Sequence, residues 1–115
     1  MKLSDYIFDF LVEQGVRHVF MLAGGAAMHL NDSLGANERL GYVCTLHEQA
    51  AAIAAEAYSR VTGDLGVALV TAGPGSTNAL TGVAAAWLDS TPCVFISGQV
   101  KRAYEAARSN QSDLA

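Results

Sequence analysis

Two kinds of hydrophobic pattern alternate along this chain. In some stretches apolar residues recur about every three to four positions, which is typical of a helix that packs one face against a core. Between them lie short continuous apolar runs rich in β-branched residues, which are typical of buried strands. The spacing predicts helices over about 4–14, 26–34, 46–61 and 76–88. The continuous runs predict strands over 16–22, 41–45, 66–72 and 93–97.

Polar and glycine residues mark the expected ends of these helices. Ser4 is a candidate N-cap for the first helix, and Gly15 is placed to end it. Gly35 is placed to end the second helix. Within the third, Glu56 and Arg60 stand four residues apart, and we expect an exposed ion pair of small energetic weight.

Regular alternation of strands and helices predicts an α/β fold with a parallel sheet and helices on both faces. The run 66–72, GVALVTA, has no polar alternation, as expected of a parallel strand covered on both sides. From Gln99 onward the chain is polar and has no core-facing pattern. We therefore expect a single domain over 1–115 that is incomplete at its C-terminus.

Composition and charge narrow the possible functions. The 115 residues are 51% apolar but only 16% charged, against about 25% in typical soluble domains. Such a chain has apolar surface to cover, which favours oligomerisation or membership of a larger protein. The net charge of −4 and the lack of a basic stripe argue against nucleic-acid binding.

Two further observations concern the compartment. No apolar run reaches the roughly 18 residues needed to cross a bilayer. Cys44 and Cys93 both lie in strands expected to be buried, and their spacing fits neither a disulfide framework nor a metal site. We expect reduced core cysteines in a cytoplasmic protein that does not enter the membrane.

The candidate chemistry collects at one edge of the predicted sheet. Ligands of open parallel sheets bind beyond the carboxyl ends of the strands. Four segments follow those ends: Ala23–Gly25, Thr45–Glu48, Thr71–Asn78 and Gly98–Gln99. This convergence follows from topology alone.

Glu48 has two interpretations at this stage. Thr45 and Glu48 have the spacing of a capping box, in which the glutamate reaches back to the backbone of the N-cap residue and has no further role. Alternatively, Glu48 is a reagent placed where a strand passes into a helix. His47 beside it is expected to be a partly buried hydrogen-bonding residue.

The turn Gly73–Asn78, GPGSTN, also allows two interpretations. A glycine-rich turn before a helix can bind phosphate, but this one lacks the lysine of a Walker loop and the third glycine of a dinucleotide fingerprint. The alternative is a tight turn that brings the helix close to the sheet. Gly24-Gly25 is a weaker phosphate signal still.

The blocks HEQAAAIAAEAYSRVTG and GVALVTAGPGSTNALTGVAAAWLDSTPCVFISGQV resemble the N-terminal pyrimidine-binding domain of thiamine-diphosphate-dependent enzymes. The acetolactate-synthase-like branch is the most similar group. The resemblance covers nearly the whole chain, from the opening helix to Gln99-Val100. The His-Glu-Gln, Gly-Pro-Gly-x-Thr-Asn and Asp-Ser-x-Pro blocks occur in the order found in that family.

The resemblance implies a role for each candidate site residue. Glu48 matches the glutamate that hydrogen-bonds N1′ of the cofactor's aminopyrimidine and so promotes loss of the C2 proton from its thiazolium ring. Because its surroundings are apolar, we expect the pKa of Glu48 to be raised, which would suit a proton relay. Pro74 and Asn78 match the turn near the pyrimidine, and Gly24 and Gly25 match a loop lining the reaction centre. The implied reaction is decarboxylation of a 2-keto acid, with pyruvate expected, and transfer of the two-carbon unit to an acceptor.

The resemblance also implies what this chain does not contain. Mg²⁺ and the diphosphate are expected to bind a C-terminal domain, and any FAD a middle domain, both outside these residues. The active site would be shared between subunits of a homo-oligomer, so this chain alone is expected to be inactive. Relatives that make acetolactate carry Tyr-Pro where this chain has Leu22-Ala23, which leaves the substrate open. A non-catalytic α/β module that binds a partner chain is the alternative function.

Overall fold

The computed structural model describes residues 1–105 of the chain. Its helices are α1 (Leu3–Glu13), α2 (Met28–Ala36), α3 (Glu48–Thr62), α4 (Pro74–Asn78) and α5 (Leu80–Leu88), and a 3₁₀ turn, Gly25–Ala27, precedes α2. Its strands are β1 (His18–Met21), β2 (Gly41–Cys44), β3 (Gly66–Val70) and β4 (Cys93–Ser97). The predicted polar segment from Gln99 to Ala115 lies mostly outside the described residues.

The four strands form one parallel sheet in the order β2-β1-β3-β4. In its register Val19 lies beside Tyr42, Phe20 beside Ala68, and Ala68 beside Phe95. β3 is central, and all five of its residues are buried. The prediction of a parallel strand covered on both faces is confirmed, and the α/β fold class with it.

Helices cover both faces of this sheet because alternate strand residues point to opposite sides. On one face, side chains of α1 and α2 pack on odd-numbered positions of β1 and β3; this cluster includes Phe8, Leu11, Leu34, Val19, Met21, Val67 and Leu69. On the other face, Ala52 of α3 and Ala79 pack with Val70 and the partly buried Phe95. The second layer is built from small side chains, so its helices lie close to the strands.

The alanine-rich α3 packs without room for larger groups. A Cβ placed at Gly82 of α5 would lie 2.5 Å from Ala52 Cβ, and one at Gly66 of β3 would lie 2.1 Å from the Ala55 carbonyl oxygen. Contacts this short show that backbone lies against backbone at both positions. The expectation that this helix packs tightly is confirmed.

Several predicted helix ends were wrong. The first helix is capped at Lys2, whose backbone N–H donates to Asp5 Oδ2 at 2.8 Å, while Ser4 is buried and receives a hydrogen bond from Ser33. Gly15 follows the helix with a φ of +87°, as expected of a terminating glycine. Gly35 lies inside α2, which continues to Ala36. The φ angle of Gly35 is not positive, so this glycine does not form the left-handed turn that ends a helix.

The predicted helix 76–88 divides into α4 and α5 at Ala79 and starts earlier, at Pro74. Proline suits the first turn of a helix because its missing N–H has no partner there. Gly73, with a φ of +65°, makes the turn that allows this early start.

The prediction of a buried second strand was also wrong. All four residues of β2, Cys44 among them, are exposed, because β2 is an edge strand and α3 packs on β1 and β3 instead. Cys93 is half-buried, and this burial raises the pKa of its thiol. Both cysteines are free.

The expected surface ion pair is partly buried. Glu56 is only 7% exposed and accepts hydrogen bonds from the Arg60 guanidinium and from Thr91 Oγ1, the latter at 3.2 Å. The same guanidinium contacts Asp89. Ser59 Oγ donates to the Pro92 carbonyl at 2.9 Å, so polar contacts join α3 to the turn before β4.

Among residues 1–105, no helix has both the length and the apolar character needed to cross a bilayer.

Candidate functional site at the carboxyl edge of the sheet

The four candidate segments meet at one edge of the sheet, as topology requires. Hydrogen bonds continue past the strand ends: Thr45 N–H donates to the Met21 carbonyl at 2.9 Å, and Gly98 N–H donates to the Val70 carbonyl at 2.9 Å. Leu22 N–H donates to the Leu69 carbonyl at 3.2 Å. The loops that leave these strands therefore start from fixed positions.

Glu48 is the first residue of α3, and His47 is its N-cap. His47 Nδ1 accepts a hydrogen bond from the Gln49 backbone N–H at 3.1 Å. Thr45 Oγ1 donates to the His47 carbonyl at 2.9 Å and so does not cap the helix. The capping-box interpretation was wrong, because the helix starts later than that spacing requires. His47 is an exposed capping residue rather than a partly buried one.

The carboxylate of Glu48 points across to α4. Asn78 Nδ2 donates to Glu48 Oε2 at 3.0 Å. This hydrogen bond, together with the backbone N–H of Glu48 itself, lowers the pKa of the carboxyl below its ordinary value. The expectation of a raised pKa was wrong for this chain, because Glu48 is half-exposed at an open edge and desolvation is the smaller effect.

Gly75, in the first turn of α4, lies directly beside the carboxylate. A Cβ at Gly75 would lie 3.4 Å from Glu48 Oε1 and 2.7 Å from Thr71 Cγ2. A Cβ at Gly24 would lie 2.5 Å from Thr71 Cβ. Thr71 thus fills the gap between Gly24, in the loop after β1, and Gly75, in the first turn of α4. The Gly75 side of this gap lies next to the Glu48 carboxylate.

Sequence reasoning placed the segment beginning at Thr71 at this edge but did not single out Thr71 or Gly75. The signal was present in the sequence. A threonine at the end of an otherwise apolar strand run, just before GPG, is positioned to contact the turn that follows.

Two of the predicted residues lie apart from this group. Pro74 is exposed at the start of α4, and its carbonyl accepts a hydrogen bond from Thr77 Oγ1 at 3.2 Å. Gly25 is exposed, and a Cβ there would meet nothing within 4 Å. It lines a separate open cavity with Gln99 and Lys101. Of the predicted residues, Glu48 and Asn78 are joined by a direct hydrogen bond, and Gly24 lies against Thr71, which also lies beside Gly75.

An aminopyrimidine ring calls for a carboxyl group that faces its ring nitrogen, and Glu48 supplies one at the open edge of the sheet. The place of a Gly75 side chain is taken by the Thr71 methyl, 2.7 Å from where a Cβ would lie, so this glycine lets α4 pack against Thr71. The Glu48 carboxylate fits the pyrimidine end of thiamine diphosphate. Residues 1–105 hold no group of three His, Cys, Asp or Glu side chains close enough to bind a metal ion.

The family model that describes the N-terminal TPP binding domain of thiamine pyrophosphate enzymes matches residues 1–114. This chain belongs to that family, and thiamine pyrophosphate is the same cofactor as thiamine diphosphate. The resemblance of the His-Glu-Gln and Gly-Pro-Gly blocks to this domain is confirmed.

Acetolactate synthase large subunits are similar over most of the chain. One from Buchnera aphidicola (Acyrthosiphon pisum) is 50% identical over 97 residues, which cover 84% of this chain and 17% of that protein. The isozyme 3 large subunit of Escherichia coli K12 is 49% identical over the same shares, and the large subunit of Pyropia yezoensis is 45% identical over 101 residues. The domain is therefore acetolactate-synthase-like, and the chain spans about a sixth of the length of these relatives.

Proposed function

We propose that this chain is the pyrimidine-binding part of a thiamine-diphosphate-dependent enzyme of the acetolactate-synthase-like type. The enzyme decarboxylates a 2-keto acid, pyruvate, and transfers the two-carbon unit to an acceptor. One observation carries the proposal: Glu48 forms no capping box with Thr45, and its carboxylate is held by Asn78 beside Gly75 at the open edge of the sheet. Family membership supports it.

In this proposal each residue acts on the pyrimidine end of the cofactor. Glu48 hydrogen-bonds the ring nitrogen, and Asn78 orients the Glu48 carboxylate. Pro74 lines the pyrimidine, while Gly24 and Gly25 line the space where the 2-keto acid reacts. When bound, thiamine diphosphate supplies the electron sink for cleavage of the bond to the carboxyl carbon.

The proton chemistry of Glu48 requires the site to be covered. In this chain the carboxyl is half-exposed and its pKa is lowered, so at neutral pH it accepts hydrogen bonds and has no proton to give. Burial disfavours a charged carboxylate and raises its pKa. We infer that a second domain covers Glu48 in the complete site, so that the carboxyl can hold a proton and pass it to the ring nitrogen.

Exposed apolar side chains on α3 and α5 support a covering partner. Ile53, Leu80, Trp87 and Leu88 are 42%, 57%, 84% and 79% exposed. α3 and α5 pack against each other, and several large apolar side chains exposed on two such helices favour a covering partner. We propose a homo-oligomer in which the site is shared at a subunit interface. The diphosphate and Mg²⁺, and FAD if the enzyme uses it, bind parts of the protein outside this chain. We place the enzyme in the cytoplasm.

The first experiment is a calorimetric titration of thiamine diphosphate and Mg²⁺ into the complete natural polypeptide, with the 115-residue chain titrated in parallel. Tight binding by the complete polypeptide and none by the short chain is the expected result. Absence of binding by the complete polypeptide would contradict the proposal and leave a non-catalytic module that binds a partner chain.

The second experiment measures pyruvate decarboxylation by Glu48→Gln in the complete polypeptide. The amide cannot transfer a proton, so we expect a loss of about a hundredfold or more. Glu38→Gln is the matched control, because Glu38 is exposed and lies near the C-terminal end of α2. Equal activities of the two variants would refute the role of Glu48.

A further inference from the structure

We propose that the Thr71 side chain is a spacer that positions the Glu48 carboxylate relative to the loop after β1, by filling the gap between Gly24 and Gly75. Thr71 is a positioning residue here, since it acts through α4 rather than on the cofactor. The inference rests on the proposed function of Glu48, and the experiment below separates failure of one from failure of the other.

On the Gly24 side the contact involves the whole threonine side chain. A Cβ at Gly24 would lie 2.5 Å from Thr71 Cβ, 2.5 Å from Cγ2 and 2.8 Å from Oγ1. The φ of Gly24 is −162°, an extended conformation open to any residue. Glycine is therefore needed at this position for close approach and not for backbone freedom.

On the Gly75 side the contact involves one methyl group. A Cβ at Gly75 would lie 2.7 Å from Thr71 Cγ2, but 3.4 Å from Glu48 Oε1 and 3.7 Å from Thr71 Cβ. Only the methyl group is closer than ordinary van der Waals contact. The Thr71 methyl thus takes the place of a side chain in the first turn of α4, which is why we assign it the role of spacer.

The position of α4 in turn affects the Glu48 carboxylate. Gly75 and Asn78 belong to the same short helix, and Asn78 donates to Glu48 Oε2 at 3.0 Å. Ser76 Oγ donates to the Thr71 carbonyl at 2.8 Å, which holds the start of α4 to the end of β3. A shift of α4 away from Thr71 would therefore displace the hydrogen-bond donor of Glu48.

The difference between the two contacts predicts an asymmetric rescue. Thr71→Ala removes Cγ2 and leaves Cβ. In combination with Gly75→Ala, the nearest remaining atoms lie at 3.4 and 3.7 Å, which is ordinary contact. In combination with Gly24→Ala, the Thr71 Cβ contact of 2.5 Å remains. Thr71→Ala should relieve the first glycine substitution and not the second.

The test uses the complete natural polypeptide with thiamine diphosphate and Mg²⁺. Three quantities are measured for each variant: the cofactor dissociation constant by calorimetry, the exchange rate of the cofactor's C2 proton at saturation, and the unfolding midpoint without cofactor. The variants are Thr71→Ala, Thr71→Val, Gly75→Ala, Gly24→Ala, the two double variants that contain Thr71→Ala, and Glu48→Gln as the reference.

We expect Gly75→Ala to slow C2 proton exchange about tenfold or more, because small displacements of a catalytic group cost about this much or more. The Thr71→Ala/Gly75→Ala pair should return to within about threefold of the wild-type rate, whereas Thr71→Ala/Gly24→Ala should not recover. Thr71→Val keeps Cγ2 and should exchange faster than Thr71→Ala. That comparison tests the spacer even where a glycine variant does not fold.

Three results would overturn the spacer: wild-type exchange in Gly75→Ala, equal recovery in both double variants, or equal exchange rates in Thr71→Val and Thr71→Ala. A change confined to the unfolding midpoint would overturn it too, because a purely structural contact does not alter exchange in the bound, folded enzyme. Wild-type exchange in Glu48→Gln would instead refute the proposed function itself.

Discussion

Replacement of Gly82 by alanine tests the contact between α3 and α5. Helix propensity predicts that this change stabilises the protein, whereas close packing predicts that it destabilises it. Gly82 is the third residue of α5, and by helix propensity alone alanine there would stabilise the helix by up to about 1 kcal/mol relative to glycine. However, a Cβ at Gly82 would lie 2.5 Å from Ala52 Cβ, 2.7 Å from the Ala52 carbonyl carbon and 2.9 Å from the Ile53 nitrogen. Two of these three atoms are backbone and cannot rotate away.

Relief of this clash requires α3 and α5 to separate. α3 is also packed closely on β3, where a Cβ at Gly66 would lie 2.1 Å from the Ala55 carbonyl oxygen. We therefore expect α5 to move, and overpacking of this kind costs about 1–3 kcal/mol. With backbone atoms on the other side we expect the upper end of that range. After subtraction of the propensity gain, Gly82→Ala should lower the free energy of unfolding by about 2 kcal/mol.

The assay is urea unfolding of the chain followed by far-UV circular dichroism. Gly35→Ala is the matched control, because Gly35 also lies in a helix but a Cβ there meets nothing within 4 Å. It should stabilise the chain by a few tenths of a kcal/mol up to about 1 kcal/mol. A stabilising Gly82→Ala, or equal shifts for both variants, would refute the close packing of α3 and α5.

Two further predictions concern the site and the core. Asn78→Ala should raise the pKa of Glu48 towards its ordinary value, since the main cause of the lowered pKa is removed, and NMR titration of the Glu48 carboxyl carbon measures this. A lowered pKa stabilises the fold above the ordinary glutamate pKa and loses that effect as pH falls through the lowered value. The stability advantage of wild type over Asn78→Ala should therefore be present at pH 7 and vanish in acid. Thr77→Ala is the control. An advantage that persists in acid, or an equal shift of the Glu48 pKa in Thr77→Ala, would contradict this. Phe8→Ala should lower the free energy of unfolding by about 3–5 kcal/mol because Phe8 is fully buried in the core. Phe10→Ala should cost much less, since Phe10 is 46% exposed, and equal losses in thermal unfolding would show that the core is placed wrongly.

The sequence was sufficient for the parts of this molecule that depend on local pattern. The unbroken apolar run at 66–72 identified a parallel strand covered on both faces, and β4 was predicted with the bounds that the structure has. The alternation of strands and helices determined which segments follow strand ends, and hence that Glu48 and the Thr71–Asn78 segment lie at one edge of the sheet. These features follow from periodicity and from the geometry of parallel connections.

Tertiary structure decided what each residue contacts. The same spacing of Thr45 and Glu48 fits a capping box, and only the observed start of α3 at Glu48 leaves its carboxylate to Asn78. Burial of Glu56 and exposure of β2 depend on which elements pack against them, and sequence spacing carries no such information. The direction of the Glu48 pKa shift has the same origin, because it depends on a donor thirty residues away and on solvent at the open edge. Local pattern fixes the elements, whereas contacts between residues distant in sequence determine their electrostatics and packing.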